Sequence, residues 1–126
     1  MLLLIVMGGC AANHTHDGLY IADKTVTGVI KVWILDGNEV TIYSMGAQHA
    51  VGCKQYDDRI EIKGEGVYRF ENDSTILVAG NSRPDAGYKM IRTSKNTQFK
   101  IADLDKLIEK RSQEQIHFKR NSPPTE

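Results

Sequence analysis

From Gly18 to Arg92 the apolar residues come in short alternating runs, each broken after a few positions by Gly, Asn, Asp or Ser. That period of two admits strands and leaves no stretch long enough for a helix. The strongest run is Thr27 to Leu35, with Val29, Lys31, Trp33 and Leu35 on one face and Ile30, Val32 and Ile34 on the other. Asp36-Gly37-Asn38-Glu39 follows it, a turn whose Gly and Asn tolerate positive φ, and then Val40-Thr41-Ile42-Tyr43. A β-hairpin is expected there. Gly18-Leu19-Tyr20-Ile21 opens the set. Ala50–Gln55, Ile60–Lys63, Val67–Phe70, Thr75–Ala79 and Tyr88–Arg92 continue it, with Ile60 and Ile62 pointing inward. The expected fold is therefore all-β with one C-terminal helix. Its about eight short strands form an antiparallel meander that closes into a barrel or sandwich, because closure removes exposed strand edges.

After Thr93 the period changes. Ile101, Leu104, Leu107 and Ile108 recur at helical spacing, which predicts an amphipathic helix over Ile101–Gln115. Asp103 is its expected N-cap, Asp105 falls in the first turn, and Lys110 and Arg111 fall in the last. A single apolar stripe packs on the end of the barrel or on a partner. Leu104 and Ile108 would be its contacts, and Arg83 and Tyr88 at the Gly80–Gly87 loop are further candidate partner contacts. Residues 116–126, with Ser122-Pro123-Pro124, read as a disordered tail.

At 126 residues the chain has room for one domain. Its 16 basic and 16 acidic side chains balance, which argues against nucleic acid, where a basic footprint is needed. Two cysteines cannot make a disulfide framework.

The first seven residues, Met1-Leu2-Leu3-Leu4-Ile5-Val6-Met7, are apolar without interruption and lead into Gly8-Gly9-Cys10. The run is too short to span a bilayer, which takes about 20 residues, and it matches the apolar core of a secretory signal ending in small residues. The segment resembles a bacterial lipoprotein signal, with Met7-Gly8-Gly9-Cys10 as its lipobox. Met7 stands where leucine is usual, and no Lys or Arg precedes the run. A buried first strand with Cys10 in the core is the other reading. The resemblance implies a signal peptide over residues 1–9, acylated Cys10 as the mature N-terminus, and an exposed tether over residues 10–17 before a β domain over 18–93. Acyl chains contribute about 0.8 kcal/mol per buried methylene, so a multiply acylated cysteine anchors durably. The family's sorting rule implies an outer-membrane address, because Ala11 rather than Asp follows the cysteine. The rhythm of Gly18-Leu19-Tyr20, Asp36-Gly37-Asn38 and Tyr68-Arg69-Phe70-Glu71-Asn72-Asp73 also resembles small lipocalin-like barrels of bacterial lipoproteins.

Residues with possible chemistry are few. His49 and Cys53 share one face of a strand and could form a thiolate–imidazolium pair or half a zinc site. No further cysteine completes it, and Cys53 reads better as a small buried hydrophobe, or, were Cys10 not acylated, as its disulfide partner. His14, His16 and Asp17 could chelate a metal, but in a tether nothing preorganises them, so no metal site is expected. Asp57-Asp58 and Asp73 sit where turns favour aspartate. Phosphate loops and a serine nucleophile elbow are absent, so neither a catalytic residue nor a cofactor is expected. Tyr20, Trp33, Tyr43, Tyr56, Tyr68, Phe70 and Tyr88 either pack the core or line a binding mouth. The expected function is a non-catalytic envelope lipoprotein whose β domain, facing the periplasm, binds or shields a cell-wall component, a membrane protein or a small apolar ligand. The alternatives are a small inhibitor or exclusion lipoprotein, of the lysozyme-inhibitor or phage- and plasmid-exclusion type, and an enzyme using Cys53 and His49.

Overall fold

The computed structural model describes residues 14–25, 29–45, 47–79 and 87–121, with the helix side chains described as far as Glu114. Eight strands follow one another: β1 (Gly18–Ala22), β2 (Val32–Asp36), β3 (Glu39–Ser44), β4 (Ala47–Gln55), β5 (Arg59–Ile62), β6 (Gly66–Asn72), β7 (Thr75–Val78) and β8 (Tyr88–Ser94). Each is antiparallel to the next, and β8 returns to pair with β1, so the meander closes into a barrel. Closure gives β1 and β8 a neighbour on both sides, which satisfies backbone groups that a sheet edge would leave open. The two-residue turn Gly37-Asn38 joins β2 to β3, with Gly37 at φ 61°. That left-handed conformation is the one glycine adopts without steric cost.

Inside the barrel, Tyr20, Trp33, Leu35, Val40, Cys53, Ile60, Ile62, Ile76 and Met90 form one cluster. The expected inward placement of Ile60 and Ile62 holds. On β2 the two faces separate as their alternation predicts: Trp33 and Leu35 point inside, while Ile30, Val32 and Ile34 belong to a second cluster. That second cluster lies between the outer faces of β1, β2 and β3 and helix α1 (Ile101–Asn121). Leu19, Ile21 and Tyr43 meet Leu104 and Ile108 there, with Phe99 and Leu107 at its margin. Both faces of β1 and β2 are thus covered, which is why β2 reads as a continuous apolar run rather than a polar–apolar alternation.

This arrangement corrects three expectations. The helix packs on the barrel's outer flank and not on its end. Leu104 and Ile108 are each 3% exposed beneath it, so they are spent on intramolecular packing and are not partner contacts. The helix begins at Ile101, as its apolar stripe predicts, but its N-terminal cap and its C-terminal end differ from expectation. Leu104 N donates to Lys100 O at 3.1 Å, so Asp103 lies inside the first turn instead of capping it. There its carboxylate still faces the positive end of the helix dipole. At the other end α1 continues past Gln115 to Asn121, which removes Lys110 and Arg111 from the last turn and shortens the expected tail. The intervening residues include neither Gly nor Pro, and the first helix breaker is Pro123.

Strand limits differ in detail. β2 starts at Val32, with Val29 making only an isolated bridge; Thr27 and Gly28 lie outside the described residues. β4 is longer than its apolar core, because residues 47–52 pair with β3 whereas residues 53–55 pair with β5.

Candidate functional site

An up-and-down barrel places alternate connections at opposite ends. The turns after β2, β4 and β6 lie at the end where the chain enters, and the connections after β1, β3, β5 and β7 lie at the other. The two ends are built differently.

The entry end is plugged. Residues 14–17 fold across it, contrary to the exposed tether expected there. His16 is 1% exposed, and its ring stacks on Phe70 at 3.7 Å with the planes 12° apart. His16 Nδ1 lies 3.1 Å from the Asp73 carbonyl, an acceptor only, so Nδ1 carries the proton. Tyr20 donates its hydroxyl to His16 O at 2.7 Å. Asp17 Oδ1 accepts from Gly37 N and from Gln55 Nε2, both at 2.9 Å. Gln55 Nε2 also donates to Gly37 O, and Arg92 Nη1 donates to Thr15 O and Asp17 O. The plug therefore ties the turn after β2, the end of β4, the turn after β6 and β8 to one short segment. Its polar residues look like tether in the sequence, but they meet backbone groups that an open barrel end leaves unsatisfied. Hydrogen bonds to a charged acceptor such as Asp17 contribute about 1.5–3 kcal/mol each.

His14, Asp17 and Asp36 are brought together at the rim of this plug, with His14 Nδ1 bonded to Asp17 Oδ2 and the three ligand atoms within 4.8 Å of one another. The set differs from the one the sequence suggested, because His16 turns into the barrel and Asp36 takes its place. The Asp17 carboxylate beside His14 raises the imidazole above its ordinary value.

His49 and Cys53 are not brought together. They stand four positions apart along β4, about 13 Å at strand rise, with His49 exposed and Cys53 buried. Cys53 Sγ donates to Gly37 O at 3.6 Å. Burial, reinforced by the Asp17 and Glu39 charges, pushes its thiol up to about 11. It is held protonated near neutrality, whereas the thiolate is the reactive form.

Tyr20, in the same core, is pushed up to about 12, chiefly by burial. Both groups are raised, so the stability they confer is complete below their ordinary values of 9.0 and 10.0. It is lost as pH climbs through the folded-state values. Urea midpoints are expected to fall steadily between about pH 9 and 12, and Cys53→Ala should remove the lower part of that fall. A midpoint constant over this range would refute the assignment.

The opposite end is an aromatic mouth. Tyr68 and Tyr88 are half-buried there, and Tyr68 meets the buried Trp33 edge to face at 5.1 Å. Both phenols are raised, first by burial; Tyr68 and then the Glu65 carboxylate add to the shift of Tyr88, and Glu65 adds to that of Tyr68. They therefore stay neutral and can both donate and accept. A groove of about 860 Å³ lies at this mouth against β6, β7 and β8, with the exposed Val67 and Leu77 between the charged Asp23, Lys24, Arg69 and Lys89. A second groove of about 820 Å³ lies across the Gly64–Gly66 turn, against Gly52, Lys54, Glu61 and Lys63. Val67 is 61% exposed and lines both.

The aromatic residues thus divide by role. Tyr20 and Trp33 fill the core, Phe70 backs the plug, and Tyr43 bonds Asp105 beneath the helix. Tyr56 carries the Arg59 guanidinium at 4.1 Å, and only Tyr68 and Tyr88 reach the mouth. Of the candidate contacts, Tyr88 lies in the groove and Arg83 lies outside the described residues. Among the described residues no helix is long and apolar enough to cross a membrane. Compared with protein-family models, with curated proteins and with solved structures, the chain matches none.

Proposed function

We propose that this chain is a lipid-anchored envelope protein whose barrel holds a binding surface at its mouth and performs no covalent chemistry. The observation that carries the reading is Met7-Gly8-Gly9-Cys10 behind an apolar run, four residues ahead of His14, the first of the described residues. An acylated Cys10 would hold the barrel on a membrane whose core the barrel need not enter, since acyl chains supply the attachment. The mouth supports the binding part. It offers neutral tyrosine hydroxyls, exposed Val67 and Leu77, and charges of both signs, a mixture suited to a protein or wall-polymer surface. The protonated Cys53 and its separation from His49 favour binding over catalysis.

The test is the mass of the N-terminal peptide from the membrane fraction, which should begin at Cys10 and carry acyl chains. Cys10→Ser should cut the membrane-bound share at least tenfold. A protein that still begins at Met1 and is recovered with an unmodified Cys10 would overturn the reading.

A further inference from the structure

The plug turns an anchor into an orientation. We infer that the plugged end of the barrel faces the lipid headgroups and that the mouth faces away from the anchoring bilayer, toward the aqueous compartment. The inference rests on the anchor reading above, and it names the side from which the mouth takes its partner.

Cys10 precedes His14 by four residues. A fully extended chain of that length reaches about 14 Å. From His14 onward the chain has no slack, because His16 and Asp17 are fixed by the Gln55, Gly37, Asp73 and Arg92 contacts and Gly18 pairs with Leu35 in the barrel. Turning the mouth toward the bilayer would place His14 at the far end of the barrel. β6 alone has seven residues. At strand rise and barrel tilt it stands about 17 Å high, and the turns beyond each strand end add to that. The leash would also have to pass around the barrel wall. It is too short, so an inverted barrel is excluded and the plug end stays next to the headgroups.

The chemistry of the plug end agrees with contact rather than insertion. Asp36, Asp57, Asp58 and Asp73 are exposed on it, and charged carboxylates remain hydrated at a headgroup layer. The exposed apolar residues Val67 and Leu77 lie instead along the groove that leads from the mouth. The partner is therefore drawn from the aqueous side and not from the lipids of the membrane that holds the anchor.

A photo-crosslinking benzophenone amino acid placed at Asn38, in the turn at the plug end, or at Glu65, in the turn at the mouth, reads the orientation directly. Full chains bearing either are irradiated in membranes, and lipid adducts are counted by mass. Position 38 should yield at least five times the adducts of position 65. A twelve-residue Gly/Ser insertion after Ala12 should bring the two within twofold. Equal yields with the native spacing, or a higher yield at position 65, would overturn the orientation. Should the membrane fraction hold no acyl mass on Cys10, the anchor reading fails separately. The same comparison is then made on full chains coupled through Cys10 to a maleimide lipid in phosphatidylethanolamine vesicles, and the orientation stands or falls there by the same ratio.

Discussion

Gly18→Ala is expected to destabilise the barrel by at least about 3 kcal/mol, read as a drop in the urea midpoint. Gly18 sits at φ +144°, and a Cβ there would lie 2.3 Å from Ser94 O and 2.7 Å from Arg92 Cδ. The Arg92 methylenes could shift at some loss to the plug. Ser94 O cannot move so easily, because it belongs to β8 where Ser94 pairs with Leu19 and closes the barrel. Gly64→Ala is the control. It has φ +82° with nothing within 4 Å of the added carbon. Backbone strain alone should then cost about 1–2 kcal/mol. Equal losses in the two variants would mean that closure between β1 and β8 tolerates the clash.

Trp33→Ala should lose about 3–5 kcal/mol, the range for emptying a large aromatic site in a packed core. Trp33 is 3% exposed, lies among Tyr20, Leu35, Ile60 and Met90, and supports Tyr68 at the mouth. A barrel has no second layer that can collapse into such a void, since its walls are held by their hydrogen-bond ladders. Far-UV circular dichroism during urea unfolding is the suitable measurement, because Trp33 is the single tryptophan. Tyr68→Phe, which removes only a half-exposed hydroxyl, should cost under about 1 kcal/mol. A Trp33→Ala loss of that same small size would show that the interior is not organised around the indole.

These two sites also locate what stabilises the mouth. Gly18 governs the seam at the plug end, and Trp33 connects the core to Tyr68. Neither residue lies on the mouth groove. Substitutions at Leu77 or Val67 should therefore be able to alter binding while leaving these stability terms in place.

Reading the chain locally recovered its strands for a physical reason. Ile60-Glu61-Ile62 and the Asp36–Glu39 turn declare their conformation through alternation and φ preference, properties of neighbours along the chain. Helix α1 declared its stripe and its start at Ile101 in the same way, but neither its seat nor its C-terminal end. Its seat depended on β1 and β2 having a second apolar face to cover, and its end on the residues after the stripe being free of breakers. Tyr68 and Tyr88 are legible in the sequence as aromatics that pack the core or line a mouth, but local pattern does not separate them from the aromatics that fill the core.

The plug was not legible at all. His16 meets Gln55 and Asp73 across 39 and 57 positions of chain. No local pattern tells a polar residue that will satisfy buried backbone from one that will stay in water. Amino-acid order alone determined a closed set of short antiparallel strands followed by one amphipathic helix. Only the tertiary structure decided which end residues 14–17 seal, which end carries Tyr68 and Tyr88 and which flank the helix covers, because those outcomes arise from hydrogen bonds and burial between residues that sequence spacing does not bring together.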